Sequence, residues 1–377
     1  MPALFLSLFV ALLVTGVVVR AAERGGSLVL DHDISGPQKF HSRPVPRVGG
    51  IGILVGLTLG VALLYFVDGE AGRMGALLLV CAVPAFGAGL IEDLTKRVSP
   101  AKRLLATALS AGLAFWMVEA QITRAEVPGF DLIVATTVGA LLTTVFAVAG
   151  IANSINIIDG FNGLASMCAA IMLAALAYVA YQVGDTTIGL LALAGIGAVL
   201  GFFVWNFPAG LIFLGDGGAY FLGFYVAELS ILLLFRNPQV STLFPLLVCV
   251  YPVFETLFSI YRRRFLRALP PSMPDGIHLH SLIYRRVLRW AVGDRSAKAL
   301  TRRNSMTSPF LWLLCMASVV PAVLFWDRTP VLAAALFLFA VTYVGLYWRI
   351  VRFKSPRWMR VLAGGRAKAE RGDNQGT

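Results

Sequence analysis

Long apolar stretches separated by short polar ones run the length of this chain, at about residues 2–19, 48–67, 74–91, 104–120, 131–149, 163–182, 186–205, 219–235, 240–260, 309–326 and 330–348. A helix needs roughly 20 apolar residues to cross the hydrocarbon core of a bilayer, and these windows are of that size. The pattern predicts an all-α polytopic membrane protein of about eleven transmembrane helices. One transmembrane domain covers 1–354, and a basic cytoplasmic tail, 355–377, is predicted to be partly disordered. An odd number of crossings puts the two ends of the chain on opposite sides.

Composition agrees with the pattern. Hydrophobic residues make up 58% of the chain and charged residues 14%, with a mean hydropathy of +0.78, whereas soluble domains carry about 25% charged residues. The first apolar stretch has no positive charge ahead of it, so it lacks the start of a cleavable signal peptide and reads as a retained helix. Cys81, Cys168, Cys249 and Cys315 stand singly inside apolar stretches, as buried thiols do.

The cations set the orientation, because cytoplasmic loops collect Lys and Arg. Of the 32 basic residues, 28 fall after helices 1, 3 and 9 or in the tail, and only Arg73, Arg124, Arg236 and Arg328 fall on the other side. The N-terminus is therefore expected outside and the C-terminus inside. The net charge of +12 is a topology signal with attraction to anionic lipid head groups, and it needs no nucleic-acid partner.

Five polar clusters share the expected cytoplasmic face: DISGPQKFHSRPVPRVGG (33–50), GLIEDLTKR (89–97), NSINIIDGFNGLA (153–165), FLGDGGAY (213–220) and MPDGIHLHSLIYRR (273–286). Asp216 ends a run of 30 uncharged residues and is flanked by glycines that let backbone approach a ligand. The alternative is a solvated aspartate beside a helix cap. Glu92 and Asp93, with Lys96 and Arg97 close behind, suit a magnesium ion shared with phosphates, or else an interfacial salt-bridge cluster. Asn153, Asn156 and Asp159 are three apart, so neighbours share a face if the helix continues to them. They would present amides and a carboxylate to a sugar, a uracil or a metal-bound phosphate, or serve as caps.

His278 and His280 lie in the longest basic loop with Arg285 and Arg286. Two residues apart, they point to different faces of a helix, so phosphate binding suits them better than zinc. Lys39 and His41 form a second, smaller set. Either histidine set is otherwise plain surface. Glu255, inside an apolar window, should face the protein interior and have a structural role.

Taken together, these clusters resemble those of the polyprenyl-phosphate N-acetylhexosamine-1-phosphate transferases, the glycosyltransferase family 4 group that includes MraY and WecA. The likeness runs from about residue 33 to 286. KFHSRPVPRVGG is similar to the family's first cytoplasmic motif, GLIEDLTKR to its acidic pair, NSINIIDGFNGLA to its N-x-x-N-x-x-D-G signature, FLGDGGAYFLGF to its G-D-x-G motif and HLHS to its histidine motif. Glu92 replaces a usual aspartate, Asn162 stands where many members have aspartate, and Ser281 where many have a third histidine. The last difference leans toward the WecA branch.

The resemblance implies transfer of an N-acetyl-amino-sugar 1-phosphate from a UDP-sugar to undecaprenyl phosphate in the bacterial inner membrane, starting a cell-envelope glycan such as lipopolysaccharide. It implies Mg2+, with Mn2+ as a substitute. Asp216 and Asp93 are the expected metal ligands, with Asp93 near the lipid phosphate; Glu92 and Asp159 complete the catalytic set. Lys39, His41, Asn153, Asn156, Asn162, His278, His280, Arg285 and Arg286 are the expected substrate contacts. Membrane lipids and a homodimer are further partners considered. A transporter or lipid flippase is the alternative from another class. It calls for polar groups near the midplane and on both faces, whereas here they cluster on one.

Overall fold

The computed structural model describes residues 1–24, 30–31, 45–266, 277–288 and 296–352. Its helices are α1 (Pro2–Glu23), α2 (Gly50–Val67), α3 (Gly69–Thr95), α4 (Pro100–Met117), α5 (Phe130–Val134), α6 (Thr137–Ile158), α7 (Leu164–Val183) and α8 (Thr186–Asn206), then α9 (Gly215–Arg236), α10 (Leu243–Val248), α11 (Val250–Tyr261), α12 (Leu279–Leu282), α13 (Ala297–Leu324) and α14 (Thr329–Val351). π-Helical turns follow α11 at Arg262–Leu266 and α12 at Ile283–Val287. Among the described residues the only strand pairing is a two-residue antiparallel ladder, Leu30–Asp31 with Val45–Pro46.

The all-α, multi-pass reading holds. Among the described residues, nine helices are long and apolar enough to cross a membrane. The other two apolar windows are filled by α4, which carries Lys102 and Arg103, and by α10 and α11 in tandem. Proline explains that division. Pro252 has no N–H for the Val248 carbonyl, and its ring crowds that carbonyl, so the helix breaks at Cys249.

Local chemistry fixes many of the ends. The side chains of Asp68, Ser99, Thr136 and Asp185 accept backbone N–H groups in the first turns of α3, α4, α6 and α8, satisfying donors that a helix start leaves over. Gly184, at φ +75°, ends α7 in the left-handed region that glycine enters without strain.

Lipid tails are as apolar as leucine, so helices in a bilayer associate through close packing of small residues. Gly52, Gly56 and Gly60, four apart on α2, face Thr15, Ala11 and Ser7 of α1. A methyl on Gly56 would lie 2.7 Å from the Ala11 Cβ, so any larger residue would push the two helices apart. The helix at the centre is α9, with 94% of its spanning window buried. It packs chiefly on α3 and α6, and also on α2 and α7.

The far end of α9 is held by Arg236, whose Nε lies 2.8 Å from Asp185 and whose Nη2 lies 2.9 Å from Glu70. Arg124 reaches the Val240 carbonyl at 2.6 Å. Two of the four cations expected outside thus join helix ends and loops to one another.

Several helices run beyond their apolar windows into polar residues. Helix α3 runs on to Thr95, α6 to Ile158, α9 starts at Gly215, and α13 starts twelve residues before its window. Windows of hydropathy register contact with lipid, whereas these polar turns are packed against other helices. The stretch after Asn153 therefore begins as the last turns of a helix, and the longest basic loop, after the ninth apolar window, contains α12, both π-helical turns and the start of α13. The tail from 355 lies outside the described residues.

Candidate active site

The N-terminus of α9 is where the polar clusters meet. A helix start leaves backbone N–H groups without partners and carries partial positive charge. Asp93, in the last turn of α3, accepts the N–H of Asp216 on one oxygen and that of Gly217 on the other, both at 2.9 Å. Glycine makes this approach possible: a methyl on Gly89 would lie 2.6 Å from the Asp216 carbonyl carbon. The carboxylate of Asp93 thus fixes the first turn of α9.

Asp216, in that turn, faces the opposite way into a set of donors. Its Oδ2 takes a short ion pair from Arg103 of α4. Its Oδ1 accepts from Asn156 Nδ2 at 2.8 Å and lies 3.8 Å from Arg47. One turn before Asn156 on α6, Asn153 accepts from the Tyr220 hydroxyl at 3.3 Å, and the Arg103 guanidinium sits over the Tyr220 ring at 5.7 Å. The expectation that Asn153 and Asn156 share a face is met.

Asp159 caps α6 and hydrogen-bonds to the Gly215 N–H. Burial pushes its carboxyl up to about 7 against the pull of Arg47 and that amide, and the charges of Asp216 and Asp93 add to the rise. Three carboxylates and two guanidiniums, Arg47 and Arg103, therefore converge on one helix terminus.

The histidines come beside the turn that follows α6. His278 precedes α12 in extended backbone, φ −57° and ψ 154°. Its ring therefore stacks on that of His280, with centroids 5.1 Å apart and an interplanar angle of 17°. The expectation that they face different ways, which assumed a continuous helix, is corrected.

Glu255 is wholly buried and organises this segment. Its Oε1 is 3.0 Å from His278 Nδ1 and accepts the Leu279 N–H at 3.0 Å, while its Oε2 accepts from the Tyr343 hydroxyl at 2.6 Å. His280 reaches the turn after Asp159: a methyl on Gly160 would lie 3.6 Å from its Nε2, and its ring meets Phe161 edge-on at 5.3 Å.

Other expected site residues have structural partners. Glu92, about 100° around α3 from Asp93, accepts the Val98 N–H at 2.6 Å and closes the turn after the helix. Asn162 is 3% exposed. Its N–H donates to Asn304, its amide to Ser305 at 3.0 Å, and its carbonyl accepts from Ser308, all on α13. Arg286 donates to the carbonyls of Ile350 and Val351 at the end of α14, while Arg285 is exposed. Lys39 and His41 lie outside the described residues.

Arg47 and Arg103 are site residues that nothing in the sequence singles out: Arg47 lies within KFHSRPVPRVGG among other cations, and Arg103 signals only topology. A cation ten residues beyond an acidic pair has no local signature, because α4 must fold back along α3 before Arg103 can reach Asp216.

As for a metal, among the described residues no three His, Cys, Asp or Glu side chains come close enough to enclose an ion. The chemistry of the donors is nevertheless what a hard cation takes: the carboxylate oxygens of Asp216, beside the amide of Asn156, and of Asp159, whose charge feels that of Asp216. Asp93 has one backbone amide on each oxygen, whereas Asp159 accepts that of Gly215.

Residues 75–234 match the domain described as glycosyl transferase family 4. Over 287 residues, 74% of this chain and 75% of the other, the sequence is 31% identical to a probable undecaprenyl-phosphate N-acetylglucosaminyl 1-phosphate transferase of Bacillus subtilis. It is 29% identical over 256 residues, 67% of this chain and 72% of the other, to an undecaprenyl-phosphate alpha-N-acetylglucosaminyl 1-phosphate transferase of Thermotoga maritima. A phospho-N-acetylmuramoyl-pentapeptide-transferase of Streptococcus equi is 28% identical over 302 residues, 74% of this chain and 85% of that protein. The matched residues 75–234 include Asp93, Arg103, Asn156, Asp159 and Asp216.

Proposed function

From the premise that this chain belongs to glycosyl transferase family 4, we propose that it transfers an N-acetyl-amino-sugar 1-phosphate from a UDP-sugar to undecaprenyl phosphate, releasing UMP. An oxygen of the lipid phosphate attacks the β-phosphorus of the donor, the bond from that phosphorus to the bridging oxygen breaks, and the bridging oxygen leaves on UMP. The observation that carries this reading is the convergence of Asp93, Asp159 and Asp216 with Arg47 and Arg103 on the N-terminus of α9. The relatives support the acceptor class, and nothing among them favours a transporter or flippase.

Phosphoryl transfer asks a protein mainly for positioning and for charge stabilisation around the phosphates. Asp216 and Asp159 would hold Mg2+, or Mn2+ in its place. The bound ion supplies Lewis-acid neutralisation of diphosphate charge. Asp93 sets the position of Asp216 by fixing the first turn of α9. Arg103 and Arg47 neutralise Asp216 in the free protein and are placed to turn to phosphate oxygens when these arrive. Guanidinium forks suit that task. Asn153 and Asn156 would orient the nucleotide-sugar, with His278, held by Glu255, and His280 on the phosphates; Lys39, His41 and the exposed Arg285 would be further phosphate contacts, as the family resemblance implies. Glu92, Asn162 and Arg286 are assigned to structure.

The distribution of cations supports a multi-pass protein of the bacterial inner membrane with its site and C-terminus in the cytoplasm. The test is direct. Purified protein with undecaprenyl phosphate and Mg2+ is offered a panel of UDP-sugars, and the lipid product is identified by mass. A lipid diphosphate sugar together with UMP is the expected outcome; no lipid product with any donor would refute the reading.

A further inference from the structure

Away from the carboxylate cluster, an apolar groove of about 440 Å³ runs between α13 and α14, with Ile283 of the π-helical turn after α12 as its floor. Leu314 and Ala317 form one wall, Gly345 and Leu346 the other, and Arg349 closes one end. The space at Gly345 is open: an added methyl there would meet no atom within 4 Å. The lining spans residues 310–317 and 342–349, seven helical steps on each side, which is roughly 10 Å of rise. That is about two-thirds of the apolar half-thickness of a bilayer, roughly 15 Å.

Height in the membrane follows from the neighbours of Arg349. Trp348, 42% exposed, and Arg352, 5.9 Å over its ring, mark the level where aromatic and basic side chains meet the head groups. Arg286 joins this end of α14 through the Ile350 and Val351 carbonyls. The groove thus starts at a cationic mouth at head-group level and continues as an apolar trough toward the midplane. Among the described residues no acidic side chain pairs with Arg349.

We propose that this groove binds an anionic glycerophospholipid, with one acyl chain between α13 and α14 and the phosphate on Arg349. The shape takes a single chain, and the charge at its mouth selects an anionic head group over a zwitterionic one. The lipid acceptor of the transfer reaction is not the occupant. Its phosphate must reach the α9 terminus, whereas the groove is built only from α13, α14 and the 283–287 turn, none of which carries Asp93, Asp159 or Asp216. The site is linked to the histidines through Ile283, three residues beyond His280, so the lipid braces the segment that presents them.

The experiment titrates delipidated protein with phosphatidylglycerol and, in parallel, with phosphatidylcholine of the same chains, and reads bound lipid by native mass spectrometry. Wild type should retain phosphatidylglycerol preferentially. Arg349→Ala should bind it about fivefold more weakly, the effect of one cation near the membrane surface, with little change for phosphatidylcholine. Leu346→Trp, which fills the trough, should weaken both. Unfolding temperature in detergent checks that each variant is folded, and Arg349→Ala decides the matter if Leu346→Trp is not. Equal binding of the two lipids by wild type, or unchanged phosphatidylglycerol binding by Arg349→Ala, would overturn the proposal. So would displacement of phosphatidylglycerol by equimolar undecaprenyl phosphate, which would give the groove to the acceptor.

Discussion

Asn in place of Asp93 is the most informative single change at this site. The carboxylate accepts two backbone N–H groups at 2.9 Å, one on each oxygen. Asparagine keeps one acceptor and turns an amide NH2 toward the second N–H. One hydrogen bond to a charged group, about 1.5–3 kcal/mol, becomes a neutral one worth about 1 kcal/mol, and the other is lost with its donor left facing a donor, a further 1–3 kcal/mol or so. Relief of repulsion among Asp93, Asp159 and Asp216 offsets part of this. A net loss of roughly 2–4 kcal/mol in the ordering of the first turn of α9 follows. Because that turn carries Asp216, the loss should appear both as a lower unfolding temperature in detergent and as a fall in kcat of about 10²-fold or more. The assay is turnover of the donor at saturating acceptor between pH 6 and 9, with melting curves on the same preparations. A positioning role predicts a deficit that does not shrink as pH rises; it should be least at pH 6, because losing the Asp93 charge eases ionisation of Asp159. Recovery of most of the rate at high pH, with an unchanged melting temperature, would refute this reasoning and make Asp93 a proton acceptor.

Four other outcomes test the site and its setting. Asp216→Asn should lower kcat about 10²- to 10³-fold, the scale for removing one preorganised electrostatic group; near-normal turnover would remove Asp216 from the mechanism. Asp159, with its carboxyl raised from 3.8 to about 7, is neutral in the folded protein at acid pH, so the metal-free protein loses stability as pH rises from about 4 through 7. A cation binds only the ionised form, so the Mg2+ concentration that half-restores thermal stability should be about tenfold lower at pH 8 than at pH 6, and equal midpoints would contradict the assignment. The native cysteines are all buried, so Arg97→Cys should resist an impermeant thiol reagent added to intact cells while Gln239→Cys reacts; the reverse result would invert the topology. At a chiral β-phosphorus, direct attack by the lipid phosphate should invert configuration, because a phosphate monoester is already largely dianionic at pH 7 and both Asp93 oxygens are engaged by backbone amides; retention would establish an aspartyl phosphate instead.

What the sequence disclosed and what it withheld have a common physical origin. Hydropathy reports how a stretch meets lipid, so every apolar window found its helix, and the division at Pro252 lay inside a window because proline breaks a helix without changing its hydropathy. The same measure stops at the first polar residues. It therefore left Asp93, Asn156, Asp159 and Asp216 outside the windows, although three of them lie on terminal helical turns and Asp159 caps one. Spacing within a single helix was legible, as Asn153 and Asn156 show. Partners drawn from distant elements were not: Asn162 is tied to α13 some 142 residues away, and Arg103 meets Asp216 across 113 residues. Chemical type alone made Asn162 and Asn156 look alike, yet one is locked against α13 and the other faces the carboxylate cluster. An amide or carboxylate near a membrane surface becomes a candidate for substrate when its own partners leave it directed at the cluster, and that depends on tertiary contacts. Asp93 shows the same limit from the other direction. It lies at the centre of the site as expected, but as the acceptor that holds a helix terminus in place, a role that only the geometry of two amides at 2.9 Å reveals.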